Sequence, residues 1–306
     1  MTIRIAIIGF GTIARNEHRP AIAASPDLAL AAVVSPGGAP DVDVPCFGTL
    51  GELLAAMPGE IDAVSLCTPP RVRHDIAAEA MAAGLAVLLE KPPASTLGEL
   101  AGLAAQARAS GICLYAAWHS QHAPAIAPAA ALLRDARIAR LAIDWREDVR
   151  KWHPGQEWIW EPDGFGVLDT GINALSIATA ILPERLLVEE AEFCIPAGRQ
   201  APIAARLRFG GIAGSAHFDW REQGEEAWRV AVETTEGRRI ALDRGGARLF
   251  VDGAEQPLGA AREYPAIYAR FADLAARRAV EVDSEPLRIL ADAALIARRV
   301  AVEPVA

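Results

Sequence analysis

The sequence predicts an α/β chain of two domains. A doubly wound parallel sheet is expected over residues 1–120. An α+β domain with a large, mostly antiparallel open sheet is expected over residues 121–306. Three observations predict this. The chain has 306 residues, enough for about two domains of roughly 150 residues each. In the first part, apolar runs at 3–8, 28–34, 62–67, 86–90 and 112–118 alternate with Ala-rich stretches of helical spacing, the pattern of βαβ units and a sheet buried on both faces. In the second part, runs at 140–147, 187–195, 202–209, 214–221, 228–235 and 239–251 follow one another, with Gly210-Gly211, Glu236-Gly237 and Gly245-Gly246 as turns. Consecutive strands with short turns favour an antiparallel or mixed sheet.

The helices follow from their punctuation. One stretch includes Ile76–Ala83 and closes at Gly84, a C-terminal signal. Another runs from Leu97 to Ala109 and closes before Gly111, with Ser95 or Thr96 as its cap. A third, near 166–181, precedes most of the second strand series. Two more, near 262–278 and 284–300, follow it, and the C-terminal one is free to pack back on the first domain.

Hydrophobic residues make up 52% of the chain and charged residues 23%, as in an ordinary well-cored protein. A net charge of −9 argues against a nucleic-acid surface, which needs clustered Lys and Arg. Cys46, Cys67, Cys113 and Cys194 are widely spaced. Cys67 and Cys113 fall in apolar runs and read as buried thiols of a reducing compartment. The N-terminal apolar run is short and broken at Gly9, unlike a signal peptide, and no run approaches the roughly 20 apolar residues of a membrane span. A cytoplasmic protein is expected. An open sheet with an apolar face would be a liability in a monomer, so a homo-oligomer through the C-terminal sheet is expected.

Gly9-x-Gly11-x-x-Ala14 follows the first strand and opens a helix. In a βαβ unit this is the Rossmann fingerprint: a tight turn at Gly9, backbone approach to a pyrophosphate at Gly11, close packing at Ala14, and a helix N-terminus facing the phosphates. Thr12 and Ile13 lie in the same turn. The second strand ends in Ser35-Pro36-Gly37, with neither an acid for two ribose hydroxyls nor an Arg for a 2′-phosphate. Ser35 suits either group, and the missing cation leans to NAD, with NADP as the alternative. Cys67, Thr68 and Pro69 end the third strand, where small groups line a cofactor or simply make a turn. His74 follows them, and Glu90 and Lys91 complete the expected cofactor contacts.

Lys91 stands in Glu90-Lys91-Pro92 at the end of another buried strand. A partly desolvated lysine beside a nicotinamide cation is suited to proton exchange near neutral pH. Its bond to Pro92 is a candidate cis peptide. The glycine-rich run 163–173 becomes helical and sets Asp169 and Asn173 four apart, on one helix face; a cap and a backbone-bonded amide would use the same spacing. Between these motifs, residues 145–160 hold four of seven tryptophans, interleaved with carboxylates and His153. Flat aromatic faces with polar neighbours suit a sugar ring, and also suit cores and interfaces. Trp158 and Trp160 read as the structural pair. His119 ends the fifth strand at the ligand edge of the sheet. His119, His122 and His153 are not spaced as a metal site, and no metal is expected.

These residues resemble the Gfo/Idh/MocA oxidoreductases over essentially the whole chain, through Gly9-x-Gly11-x-x-Ala14, Glu90-Lys91-Pro92 and Gly164-x-Gly166-x-x-Asp169-x-Gly171-x-Asn173. Many members carry His where this sequence has Asn173. The runs 117–120, 147–156 and 171–177 resemble the branch that acts on aldoses, in which Asn takes that place. The resemblance implies an NAD(P)-dependent oxidation of D-galactose or L-arabinose at the anomeric carbon to the aldonolactone. It implies that Lys91, Asp169 and Asn173 serve the anomeric centre, and that His119, Glu147, Trp152, His153, Asp169, Asn173 and Trp228 surround the sugar. An arginine follows the second-strand serine in NADP-using relatives; here that position is Pro36. The rival expectations are another sugar or polyol reaction of this family, including redox-assisted glycoside cleavage, and a non-catalytic NAD- or sugar-binding sensor.

Overall fold

The structure, a computed structural model, describes residues 2–39 and 41–305. Met1, Pro40 and Ala306, which belong to the expected domain ranges, lie outside the described residues. The chain divides into two compact units, Met1–His119 with Glu263–Ser284, and Ser120–Arg262 with Glu285–Ala306.

The first unit begins with β1 (Ile3–Ile8), a π-helical turn Ala14–His18 running into α1 (Arg19–Ala24), β2 (Leu28–Val34), β3 (Cys46–Phe47) and α2 (Leu50–Ala56). It continues with β4 (Ala63–Leu66), α3 (Pro70–Ala82), β5 (Ala86–Leu89), α4 (Leu97–Ser110) and β6 (Leu114–Ala116). The second unit carries α5 (Ile126–Leu133), β7 (Ile138–Arg146), α6 (Val149–Trp152), α7 (Leu168–Ile181), β8 (Leu187–Pro196), β9 (Ala204–Gly210) and β10 (Ala213–Asp219). Next come β11 (Ala227–Thr234), β12 (Arg239–Asp243), β13 (Arg248–Val251) and β14 (Ala254–Gln256). The chain then returns to the first unit with α8 (Glu263–Arg277) and β15 (Val280–Glu281), and ends in the second with α9 (Glu285–Ile296) and β16 (Arg298–Val302).

The first sheet is parallel throughout, in the order β15-β6-β5-β4-β1-β2-β3. The order reverses beside β1, which is hydrogen-bonded to both β2 and β4. At such a switch point a crevice opens beyond the strands' carboxyl ends, the usual ligand site of an open α/β sheet. The core is apolar on both faces: Ile5, Ile7, Leu66, Val87 and Leu89 are fully buried. The cap of α4 is Thr96, whose hydroxyl accepts from Glu99 N while Glu99 answers to the Thr96 N–H, and Gly111 closes the helix in the left-handed conformation.

The second sheet is mixed, in the order β14-β13-β12-β11-β7-β10-β9-β8-β16. Its pairs are antiparallel except β7 with β10 and β8 with β16. One face is apolar and covered, with Leu141, Ile143, Phe218 and Val230 buried beside α7. Gly171 lets α7 approach this face, since a Cβ there would lie 3.0 Å from the Phe218 ring.

Four expectations are corrected. The run 239–251 is two strands, because the backbone turns through Arg244, Gly245 and Gly246, all with positive φ. The helix expected to reach 300 stops at Ile296, and residues 298–302 pair with β8 instead. Pro162–Ile181 is long and apolar enough to cross a membrane by length and composition; 72% of that window is buried, and it contains the core helix α7. Finally, the open face of the second sheet is not apolar. Arg206 pairs with Glu192, Arg208 with Glu190, Arg146 with Asp144 and Arg229 with Asp243, so the charged outer positions answer one another.

Candidate functional site

Within the first unit, the chain ends of β1, β4 and β5 build a cradle. Gly9 follows β1 with φ of +86°, and a Cβ there would sit 2.9 Å from the backbone of Cys67 and Thr68. Only glycine fits that turn. A Cβ on Gly11 would meet nothing within 4 Å, which leaves the space a pyrophosphate needs. Thr12 and Ile13 are exposed at the start of the helix and Ala14 is fully buried. Thr68 Oγ1 is buried without a hydrogen-bond partner in the protein, as expected of a hydroxyl reserved for a ligand. The glycine cradle and this orphaned hydroxyl fit a nicotinamide dinucleotide.

The other expected cofactor residues divide. Half-buried Cys67, rather than fully buried as expected, and exposed Pro69 flank Thr68. Ser35 opens a turn closed by the bond from Gly38 N to its carbonyl, 2.9 Å. Beyond that turn Asp41 pairs with Arg15 and Arg19, and Arg15 beside it holds the Asp41 carboxyl below its ordinary value. His74 sits in α3 with Nδ1 2.8 Å from Asp75.

Lys91 follows β5, and the Lys91–Pro92 bond is cis, as the sequence suggests. Glu90 beside it is buried, and one of its carboxylate oxygens accepts from Lys91 N. The other accepts from the Tyr264 hydroxyl at 2.7 Å and lies 3.4 Å from His18 Nε2. His18, at the end of the π-helical turn, is fully buried; its Nδ1 meets Tyr268 at 2.8 Å and Ser65 at 3.2 Å. Burial alone would neutralise both groups, yet they hold each other charged. Burial opposes the Glu90 anion, but hydrogen bonding and charge from His18, with His119 and Lys91 nearby, bring its carboxyl down to about 2. Burial likewise opposes the His18 cation, but Cys67, Tyr268 and Glu90 hold the imidazole well above its usual value. Burial pushes the Tyr268 hydroxyl up to about 12.

His119 closes this group: its Nδ1 lies 2.7 Å from Glu263 and its ring stacks on Tyr264 at 5.8 Å. Arg73, on α3 and 2% exposed, donates to the carbonyls of Thr68, Glu90 and Pro92. The sequence reading missed His18, Arg73, Glu263, Tyr264 and Tyr268. The available signal was the Tyr264–Tyr268 pair, one turn apart on a strongly amphipathic helix.

In the second unit, α7 carries buried Asp169 in its first turn and half-buried Asn173 one turn later, as the spacing predicts. Glu147 ends β7. Its carboxylate accepts from Trp220 Nε1 at 3.1 Å and Trp228 Nε1 at 2.8 Å, and burial holds the carboxyl above its ordinary value against those bonds. The Trp228 ring is met edge-on by Trp152, 5.5 Å away, which is 44% exposed and donates to Glu226. His153 leans on Trp220 at 5.0 Å. Glu147, Trp152, His153 and Trp228 therefore form one aromatic-acidic cluster within this unit. Trp160 is buried edge-on against Trp220, while Trp158 is half-buried. Trp220, which sequence reading passed over, is the centre of the cluster.

A Rossmann sheet with a glycine cradle and a lysine at a neighbouring strand end defines a dinucleotide-dependent oxidoreductase. Residues 3–117 match the model of the Gfo/Idh/MocA oxidoreductase family, NAD-binding Rossmann fold. The chain is 43% identical to a galactose 1-dehydrogenase of Pseudomonas fluorescens over 98% of each sequence. Among solved structures it matches D-galactose-1-dehydrogenase from Rhizobium etli with a TM-score of 0.93 and 43% identity, covering 100% of this chain and 98% of that one. KijD10, a 3-ketoreductase of Actinomadura kijaniata solved with NADP, shares the fold with a TM-score of 0.84 at 20% identity, covering 99% of this chain and 100% of that one. The chain belongs to the Gfo/Idh/MocA oxidoreductase family.

Proposed function

We propose that the protein is an aldose 1-dehydrogenase that oxidises the anomeric carbon of D-galactose, and of L-arabinose, to the aldonolactone. The observation that carries this reading is the lysine of Glu90-Lys91-Pro92 at the end of β5, two strands from the glycine cradle in the same sheet. The likeness to two galactose 1-dehydrogenases over nearly the whole chain supports the choice of sugar.

Bound nicotinamide dinucleotide would accept the hydride. The chain's own groups handle the proton. Lys91 and Asp169 share the proton of the anomeric hydroxyl, one of them taking it as general base, and positive charge on Lys91 steadies the developing alkoxide. Asn173 orients the hydroxyl; an amide cannot act as the base. Glu147, Trp152, His153 and Trp228 present carboxylate and aromatic faces to the sugar, and His119 a further polar group.

The preferred cofactor is NAD. Ser35-Pro36-Gly37 brings no cation for a 2′-phosphate, and Asp41 already answers Arg15 and Arg19. We further propose a homo-oligomer through the open face of the second sheet, a face that is polar rather than apolar because its Arg–carboxylate pairs are made within the chain. Sedimentation that gives a monomer at working concentration would remove that part. A panel of aldoses against NAD and NADP tests the activity. Reduced cofactor accumulating fastest with D-galactose or L-arabinose supports it, and binding of NAD and sugar with no change in cofactor absorbance contradicts it.

A further inference from the structure

The turn that carries Lys91 is gripped at successive backbone groups by buried charges. Arg73 holds the carbonyls of Glu90 and Pro92, on either side of the lysine, and that of Thr68 at the neighbouring strand end. The Glu90 carboxylate takes the Lys91 N–H. Three consecutive residues are thus fixed from outside the strand ladder. A buried guanidinium that donates to three carbonyls has little freedom to shift, because moving it breaks several charge-assisted hydrogen bonds at once.

Glu90 is itself held. Tyr264 donates to one carboxylate oxygen, and His18 Nε2 lies 3.4 Å from the same atom. The imidazole donates on its other side to Tyr268, whose hydroxyl donates to Ser65. Tyr264 is wedged between two imidazoles, edge-on to His18 at 4.8 Å and stacked on His119. His18 reaches this position from the π-helical turn in the helix that follows Gly9 and Gly11, and π turns inside helices often mark functional positions. The groups around the Glu90–His18 pair come from several elements. His18 from the π-helical turn, Lys91, His119 after β6 and Tyr264 from α8 face Glu90, and Arg73 from α3 takes its carbonyl. Ser65 from β4, Cys67 just after it and Tyr268 from α8 face His18.

We propose that His18, Glu90, Tyr264 and Arg73 are positioning residues for Lys91, and that the His18 cation keeps Glu90 anionic so that its carboxylate can hold the lysine's peptide. This rests on the reading that Lys91 acts at the substrate hydroxyl. Without the cation, the buried carboxylate loses its main charge partner and takes a proton more readily. The grip on Lys91 then becomes a function of pH, which the intact pair prevents.

The test is kcat against pH for His18→Asn, Tyr264→Phe, Glu90→Gln and His18→Asn with Glu90→Gln, each checked for native circular dichroism and NAD affinity. His18→Asn lowers kcat about tenfold or more, the scale of a charge-assisted hydrogen bond, leaves NAD affinity unchanged, and adds a new pH dependence in the neutral range. Glu90→Gln lowers kcat without that dependence, and the double variant is no worse than Glu90→Gln alone. Tyr264→Phe keeps the ring between the imidazoles and loses only the hydroxyl, so it carries the test should His18→Asn not fold; it lowers kcat about fivefold. Folded variants with wild-type kcat and pH profile, or additive losses, overturn the inference. Lys91→Ala measured alongside separates the two claims. Turnover lost in Lys91→Ala but unchanged in the others removes only the positioning network, and turnover kept in Lys91→Ala removes both.

Discussion

His119 Nδ1 lies 2.7 Å from Glu263 Oε2, so one nitrogen of this imidazole is committed to a carboxylate. In the neutral ring that bond places the proton on Nδ1, so in the proposed sugar site Nε2 is the nitrogen that accepts from a hydroxyl. Glu263→Gln loosens this choice of tautomer. The KM for aldose rises about fivefold, the worth of one hydrogen bond, while the KM for cofactor stays the same. An unchanged aldose KM removes the orienting role.

The two glycines of the cradle fail in different ways. Gly9→Ala places a side chain at positive φ and against the backbone of Cys67 and Thr68, so it costs fold stability of about 1–3 kcal/mol and lowers the melting temperature. Gly11→Ala adds a methyl to open space. It leaves melting of the cofactor-free protein unchanged and weakens NAD binding, read by calorimetry. Equal melting losses in both variants contradict the assigned roles.

The proposed preference for NAD places cofactor choice after β2. Pro36→Arg supplies a cation for a 2′-phosphate and raises kcat/KM for NADP about tenfold relative to NAD, on the scale of a hydrogen bond to a charged group. Steady-state rates with both cofactors decide it. An unaltered ratio moves the discrimination elsewhere, with the Arg15–Asp41 pair next in line.

Two buried carboxylates give stability opposite pH slopes. The Glu90 carboxyl is depressed to about 2 in the folded protein. Its contribution is present above the ordinary carboxylate value and is lost as pH falls toward the folded one. The Glu147 carboxyl is raised by burial, so its ionised form is disfavoured in the folded chain and stability declines as pH rises through the raised value. Relative to wild type, Glu90→Gln therefore loses less stability between pH 5.5 and 3.5, and Glu147→Gln gains most at neutral pH. Urea unfolding from neutral pH down to pH 3.5 reads both. Parallel slopes for all three proteins contradict the assignment.

Sequence motifs revealed what is contiguous. Gly9, Gly11, Lys91, Asp169 and Asn173 lie in short runs whose spacing dictates their conformation, and buried strands such as Ile3–Ile8 and Leu28–Val34 announce themselves by composition. Cys46–Phe47 and Val280–Glu281 are too short to show any period. Arg298–Val302 follows a helix so closely that the helical reading runs on into it. The Glu90 network was hidden for another reason: its partners lie 72 residues away at His18 and 174 away at Tyr264, and only the fold joins them. The open face of the second sheet differs from the expected apolar one because its outer positions carry charges paired within the chain.

The central claim is that Lys91 works on the proton of the anomeric hydroxyl. Lys91→Ala measures it most directly, with D-galactose affinity and NAD affinity determined beside the rate of reduced-cofactor formation. The account predicts that both ligands still bind while turnover falls by at least about a hundredfold, the lower range for loss of a general acid–base group. Turnover at the wild-type rate with both ligands bound would contradict it.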